Sequence, residues 1–270
     1  MRFAYLGDDS FGDVLTAALR DGHELVELFT EEDDGEQVAA LAGSLGVPVQ
    51  FDPIGPEDMA RLQAKGVDLV LSASYSHKVP DWRGHCAYGI NIHPSPLPEG
   101  RGPAPLPHLI LKGFTQSAIT VHELSAQWDG GAVVARQGFD LAPDENLTTL
   151  LVKSRHHAAA FIGAVLADLP ARWERRAAQS AGTYWRMPVD ADRTLDLAGS
   201  VAQATRMSRA FHGHGVVLRD GDRLLLVDEL HGWTHPHGLA PGQEVPSMQQ
   251  ERVFAVRDGF ITLIKYKDMP

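Results

Sequence analysis

Asn91, His93 and Asp129 are the residues of this chain whose types and setting best suit chemistry. Asn91-Ile92-His93 closes an apolar run that begins at Tyr88, and Pro94, Pro96 and Pro98 then bar its continuation as strand or helix. Residues two apart in a strand project from one face, so the Asn91 amide and the His93 imidazole share a side of that strand end. Trp128-Asp129-Gly130-Gly131 adds a carboxylate just ahead of another apolar run. An amide N–H, an imidazole and a carboxylate are the parts of an acyl-transfer site: an amide donor for a developing oxyanion, an imidazole that is a charged donor when protonated and a proton acceptor when neutral, and a carboxylate that orients it. Turn chemistry alone accounts for an Asp-Gly-Gly sequence. It does not account for an amide and an imidazole sharing a strand face in front of a rigid proline loop.

Groups of this kind need a scaffold, and the first half of the chain reads as alternating strand and helix. Strands are expected at Arg2–Leu6, His23–Phe29, Val47–Val49 and Val67–Ser72, and helices around Val14–Leu19, Gln37–Leu45 and Pro56–Lys65, with Pro56 opening and Gly66 closing the last. That rhythm predicts an α/β fold with a Rossmann-like, mostly parallel sheet, in which ligands bind at the carboxyl ends of the strands. A proline-rich loop is expected to Pro107, then a short helix over Leu109–Lys112 and strands over Ser117–Glu123 and Ala132–Phe139. A long helix capped by Asn146 or Asp144 is expected to run until Pro170 stops it. Beyond a connector at Gly182–Asp190, one helix near Leu197–Phe211 and short runs at Val216–Arg219, Arg223–Val227, Arg252–Val256 and Phe260–Ile264 predict a small β-rich domain. The expected division is residues 1–182 and 191–270, the second OB-like.

With 270 residues, 44% of them apolar and a formal net charge of −11, the chain reads as a folded protein whose surface is not built to hold phosphate backbones. Nucleic acid and membrane are not expected as partners, and the cytoplasm is the expected location. The one cysteine, Cys86, excludes a disulfide framework and a cysteine-based zinc site. The Gly7–Gly12 turn lacks dinucleotide-binding spacing, and its Asp8-Asp9 pair would repel a pyrophosphate. His231, His235 and His237 read as loop residues, His156-His157 as the solvated side of the long helix, and His122 as a satisfied core histidine. No metal is expected.

Asn91-Ile92-His93, Ser95-Pro96-Leu97-Pro98, Arg101-Gly102 with Pro105, Ala118-Ile119-Thr120-Val121-His122, and Asp129-Gly130-Gly131 before a strand together resemble the formyltransferases that use 10-formyltetrahydrofolate. That family includes glycinamide ribonucleotide transformylase, methionyl-tRNA formyltransferase and the sugar-nucleotide N-formyltransferases. The resemblance covers about the first 170 residues; Pro96 replaces a family Leu, and His108 stands where many members have Trp. It implies the formyltransferase fold and 10-formyltetrahydrofolate as co-substrate, with Asn91, His93 and Asp129 catalytic. The pteridine would meet Tyr75, Ser76, His77 and Val79, the Ser95, Pro96, Leu97, Pro98 loop, and Ser125, Ala126, Gln127 and Trp128. Arg101, Gly102 and His108 would face the amine acceptor.

The expected acceptor is a small amine, foremost a nucleotide-linked amino sugar. A methionyl-tRNA acceptor calls for a basic footprint, yet from Ala191 onward nine Lys/Arg stand against ten Asp/Glu. An ornithine-type amino acid and a non-catalytic folate-binding role are the further alternatives. Glycinamide ribonucleotide is disfavoured, since its transformylases usually lack a C-terminal extension.

Overall fold

The computed structural model describes residues 1–247 and 251–269. Seven strands form the first sheet: β1 (Arg2–Gly7), β2 (Glu24–Phe29), β3 (Val49–Gln50), β4 (Leu69–Ala73), β5 (Tyr88–His93), β6 (Gln116–Glu123) and β7 (Val133–Asp140). Their order is β3-β2-β1-β4-β5-β6-β7. The first five run parallel, and β6 and β7 are antiparallel to their neighbours. The carboxyl ends of β1, β4 and β5 therefore lie along one edge, where the strand order reverses between β1 and β4. Helices α1 (Gly12–Arg20), α2 (Glu36–Ser44) and α3 (Pro56–Ala64) make the crossovers, and α4 (Pro105–Leu111), α5 (Leu147–Ala167) and α6 (Leu169–Glu174) follow.

Nearly every residue of β1 and β4 is buried, the pattern of parallel strands covered on both faces. Alternate residues serve different layers: Ala4, Leu6 and Val70 pack with Met59 and Leu62 of α3 and with Trp82. Glu27, fully buried on β2, is matched by two cations, Arg61 of α3 at 2.5 Å and Lys65, which caps that helix, at 2.8 Å. A buried carboxylate stays ionised only when so paired.

Two expectations change and a third is decided between its alternatives. Pro105 and Pro107 do not lie in the loop; α4 begins at Pro105, because a helix's first turn has no use for the missing N–H. The α5 cap is Asn146, whose Oδ1 accepts the Thr149 N–H at 3.0 Å. Pro170 opens α6 instead of merely ending α5, which already stops at Ala167.

The chain clusters into two units. One comprises Met1–Pro105, Gln116–Asp140 and Leu151–Trp185, and the other Leu106–Thr115, Leu141–Leu150 and the chain from Arg186 onward. The chain passes from the first unit to the second between Trp185 and Arg186, and the two earlier segments also belong to the second unit. That unit holds α7 (Val201–Ala210) and an antiparallel sheet of β8 (Val216–Asp220), β9 (Arg223–Thr234), β10 (Glu244–Val245), β11 (Arg252–Val256) and β12 (Gly259–Asp268), ordered β10-β11-β12-β9-β8. The β9 strand runs well past Val227 and carries His231, which therefore is not a loop residue. Among the described residues no helix is long and apolar enough to cross a membrane.

Candidate active site

Strand register builds the site. Asn91 lies beside Ser72 of β4 on one side and opposite His122 of β6 on the other. His93 ends β5 and is only 6% exposed. Its Nε2 lies 2.7 Å from the Gly100 carbonyl oxygen. A carbonyl only accepts, so Nε2 carries the hydrogen, and the neutral ring keeps its lone pair on Nδ1. That Nδ1 stands 3.8 Å from Oδ1 of Asp129.

Asp129 has φ of +50°, a left-handed conformation that aspartate tolerates better than most residues. Gly102 N–H donates to its Oδ2 at 2.7 Å, and Asn91 Nδ2 donates to its Oδ1 at 3.4 Å. Gly131, two residues on, fits where no side chain would: an added Cβ would fall 1.8 Å from the Glu123 carbonyl oxygen.

Burial and charge act unequally on the two central groups. Burial lowers the His93 pKa, and the Asp129 charge and Gly100 carbonyl only partly offset it. Burial alone would raise the Asp129 pKa, but His93, His122 and the Gly102 N–H together hold its carboxyl well below the usual carboxylate range. One counter-charge beside another imidazole does not overcome desolvation for His93, whereas several partners do so for Asp129. The resting pair at neutral pH is an imidazole with a vacant Nδ1 facing a carboxylate.

His122 is the residue that sequence reasoning passed over. It is 2% exposed, and its Nδ1 donates to the Glu123 carbonyl at 2.9 Å, as a satisfied core histidine would. Its Nε2 then holds a lone pair, accepts from Asn91 Nδ2 at 3.1 Å and lies 3.4 Å from Asp129 Oδ1. Both amide hydrogens of Asn91 are thereby directed at this cluster. The available signal was the shared strand face, but only the β5/β6 register makes His122 the partner of Asn91.

The loops around this centre carry the remaining predicted residues. The Tyr75 hydroxyl accepts the Ile54 N–H at 2.9 Å, Ser76 is bonded to Glu31, His77 lies 3.4 Å from the same carboxylate, and Val79 packs on the core. Ser95 and Leu97 are buried, and their carbonyls accept from Thr120 and Arg136, which leaves Pro96 and Pro98 as the partly open members of that loop. Ser125 donates to the Gln127 carbonyl at 2.8 Å. Lys78, not singled out from the sequence, spans the two exposed loops: its Nζ donates to the Ala126 carbonyl at 2.7 Å and sits 4.0 Å over the Trp128 ring.

Arg101 does not point a free guanidinium outward. Its Nε and Nη2 donate to Oε1 of Gln179 at 3.0 and 2.8 Å, and Nη2 also to the Ser180 carbonyl. His108 lies on α4 in the second unit, with Nε2 3.0 Å from the Arg186 carbonyl. Among the described residues no group of three or more His, Cys, Asp or Glu is placed to hold a metal ion.

Residues 11–166, more than half of the chain, match the family model described as formyl transferase. The chain belongs to the formyl transferase family. Asn91, His122 and Asp129 all fall within the matched formyl transferase segment, whereas Gln179 lies beyond it. Among solved structures the chain is similar to an N-formyltransferase from Helicobacter canadensis, crystallised with folinic acid and dTDP-3-aminofucose. That match has 12% identity and a TM-score of 0.77 over 99% of both chains. It is also similar to WlaRD, a sugar 3N-formyl transferase crystallised with dTDP and 5-N-formyl-THF, at 11% identity and a TM-score of 0.75 over 99% of this chain and 97% of that one. HypX from Aquifex aeolicus in complex with tetrahydrofolic acid matches all of this chain at 18% identity and a TM-score of 0.68. The formyl transferase chain described here spans only 44% of that protein. At these identities the likeness is one of fold.

Proposed function

We propose that this chain moves a formyl group from 10-formyltetrahydrofolate to a primary amine, and that the amine belongs to a nucleotide-linked amino sugar. The observation that carries the reading is a vacant His93 Nδ1 held 3.8 Å from Asp129, with Asn91 bonded to the same carboxylate, in a chain of the formyl transferase family.

When bound, 10-formyltetrahydrofolate supplies the formyl carbon. The residues suit it: two exposed loops, 74–80 and 125–128, are joined by Lys78 and offer backbone donors and acceptors beside the half-exposed Trp128 indole. A flat pteridine with polar edges calls for both. His93 Nδ1 would take the proton that the amine releases as it adds to the formyl carbon, and would return it to the folate N10 as the bond between that nitrogen and the formyl carbon breaks and tetrahydrofolate leaves. Asp129 stabilises the imidazolium so formed, and Gly102 N–H keeps the carboxylate aimed. Asn91 Nδ2 is placed to bond the formyl oxygen as negative charge develops there. Its weak 3.4 Å contact with Asp129 is the one that this oxygen would replace, while the 3.1 Å bond to His122 keeps the amide oriented.

Support for the acceptor class comes from the likeness, over nearly their whole lengths, to two sugar N-formyltransferases, one crystallised with a dTDP-linked amino sugar. A C-terminal portion with no excess of basic residues points the same way. The test is product formation from 10-formyltetrahydrofolate with amino-sugar nucleotides, ornithine and methionyl-tRNA in parallel, read by mass spectrometry. Formylation of a sugar nucleotide is expected. Selective formylation of methionyl-tRNA or ornithine would overturn the acceptor assignment, and tight folate binding with no formylated amine would overturn the transferase reading.

A further inference from the structure

Gln179 lies outside the segment matched by the formyl transferase model, on the irregular stretch after α6, yet it is bound to the turn that carries Asp129. Its Nε2 donates to the Asp129 carbonyl at 2.8 Å and to the Gly131 carbonyl at 2.7 Å. Its Oε1 accepts the two Arg101 hydrogen bonds. All four hydrogen-bonding positions of the carboxamide are thus in use, two as donors and two as acceptors.

The surrounding chain serves the same turn. Ala177 exchanges backbone bonds with Val133, just after the turn, at 2.8 and 3.0 Å. Arg101 N–H donates to the Thr183 carbonyl at 3.0 Å, and Trp185 N–H to the Arg101 carbonyl at 2.7 Å. Residues 177–185 therefore act as a strap, fastened at one end beside Asp129 and at the other beside Gly102, the residue that holds the Asp129 carboxylate. Gly102, with φ of +107°, has no room for a side chain: an added Cβ would come 2.5 Å from the Trp185 carbonyl oxygen.

We propose that Gln179, braced by Arg101, is a positioning residue for Asp129: it fixes the backbone of the Asp129-Gly130-Gly131 turn so that the carboxylate faces His93. The left-handed Asp129 backbone is intrinsically uncommon and persists only where surrounding bonds over-determine it. Two donations from one carboxamide to carbonyls on either side of Gly130 do this. Arg101 accordingly acts through Gln179, which is a different role from contacting the acceptor. This inference rests in part on the proposed formyl transfer, so its test includes one measurement that needs no turnover.

That measurement is the titration of His93 followed by NMR in the free protein. The groups facing the imidazole are Asp129, whose charge raises its pKa, and His122, which lowers it. In Gln179→Met, which keeps the side-chain length but cannot brace the turn, the carboxylate should move away. The His93 midpoint should then fall by about half a pH unit or more. With turnover established, kcat should drop by about ten- to a hundredfold, with KM for the folate held within about threefold. In an Asp129→Asn background the same change should cost less than about threefold, because the group it positions is gone. Gln179→Asn, which retains the amide, should recover part of the loss and serves if the methionine variant does not fold. An unchanged His93 midpoint, or equal losses with and without the Asp129 carboxylate, would overturn the assignment. Absence of any turnover, with the midpoint shifted as expected, would instead overturn the transferase reading alone.

Discussion

Asp129→Asn isolates one charge. Asparagine tolerates the left-handed backbone at φ of +50°, and its side-chain oxygen can still receive the Gly102 N–H now 2.7 Å from Oδ2. What disappears is the anion 3.8 Å from His93 Nδ1. Two unit charges at that separation attract by about 4 kcal/mol at an effective dielectric constant of about 20. Only the part gained between the resting neutral imidazole and the transition state affects the rate. Proton transfer that is two-thirds complete or more makes this about 3–4 kcal/mol, a fall in kcat of about a hundred- to a thousandfold. The assay is tetrahydrofolate release from 10-formyltetrahydrofolate with the preferred amine. It is paired with folate affinity from quenching of the protein's tryptophan fluorescence, an affinity that should change little, and with a melting curve. A kcat within about fivefold of wild type, with folding unchanged, would refute the role given to this carboxylate.

Three further outcomes follow from the geometry. Because burial lowers the His93 pKa, and only the unprotonated Nδ1 can take the amine's proton, kcat/KM should fall on acidification with a midpoint below the ordinary imidazole value of about 6.5. Asp129→Asn, by removing the charge that raises that pKa, should move the His93 midpoint lower still, and a His93 midpoint above pH 7, followed by NMR in the free protein, would contradict this. Burial, with a further contribution from Asp68, pushes the Cys86 thiol up to about 11. Its alkylation should therefore be slow at neutral pH and accelerate towards pH 11, and rapid labelling at pH 7 would show otherwise. Gly131→Ala should destabilise the fold by about 1–3 kcal/mol, since the new Cβ meets the Glu123 carbonyl oxygen at 1.8 Å. Gly43→Ala, on α2 with open space around it, should instead be neutral or stabilise by up to about 1 kcal/mol. Equal melting temperatures for the two variants would count against the close approach at Gly131.

Local chemistry made the strand ending at His93 legible, because an apolar run stopped by Pro94, Pro96 and Pro98 has few other readings. Asn91 and His93 were likewise found from a two-residue period. What the sequence concealed depends on pairing partners distant along the chain. His122 looks like an ordinary strand histidine until the β5/β6 register sets it opposite Asn91. Arg101 looks like an acceptor contact, yet the atom that engages it belongs to Gln179, 78 residues away. The antiparallel turn of β6 and β7 within an otherwise parallel sheet left no local mark, since strands of either sense carry the same apolar runs. Pro105 and Pro107 misled for a different reason: proline breaks a helix interior but is at home in its first turn.

The most direct test is formyl transfer to a purified panel of amino-sugar nucleotides by the wild-type chain and by His93→Ala, each given isotopically labelled 10-formyltetrahydrofolate and analysed by mass spectrometry. A labelled N-formyl sugar nucleotide should form with the wild-type chain, and its rate should drop by at least about a hundredfold in His93→Ala while folate binding is retained. Equal rates in the two proteins would contradict the account, whatever the acceptor proved to be.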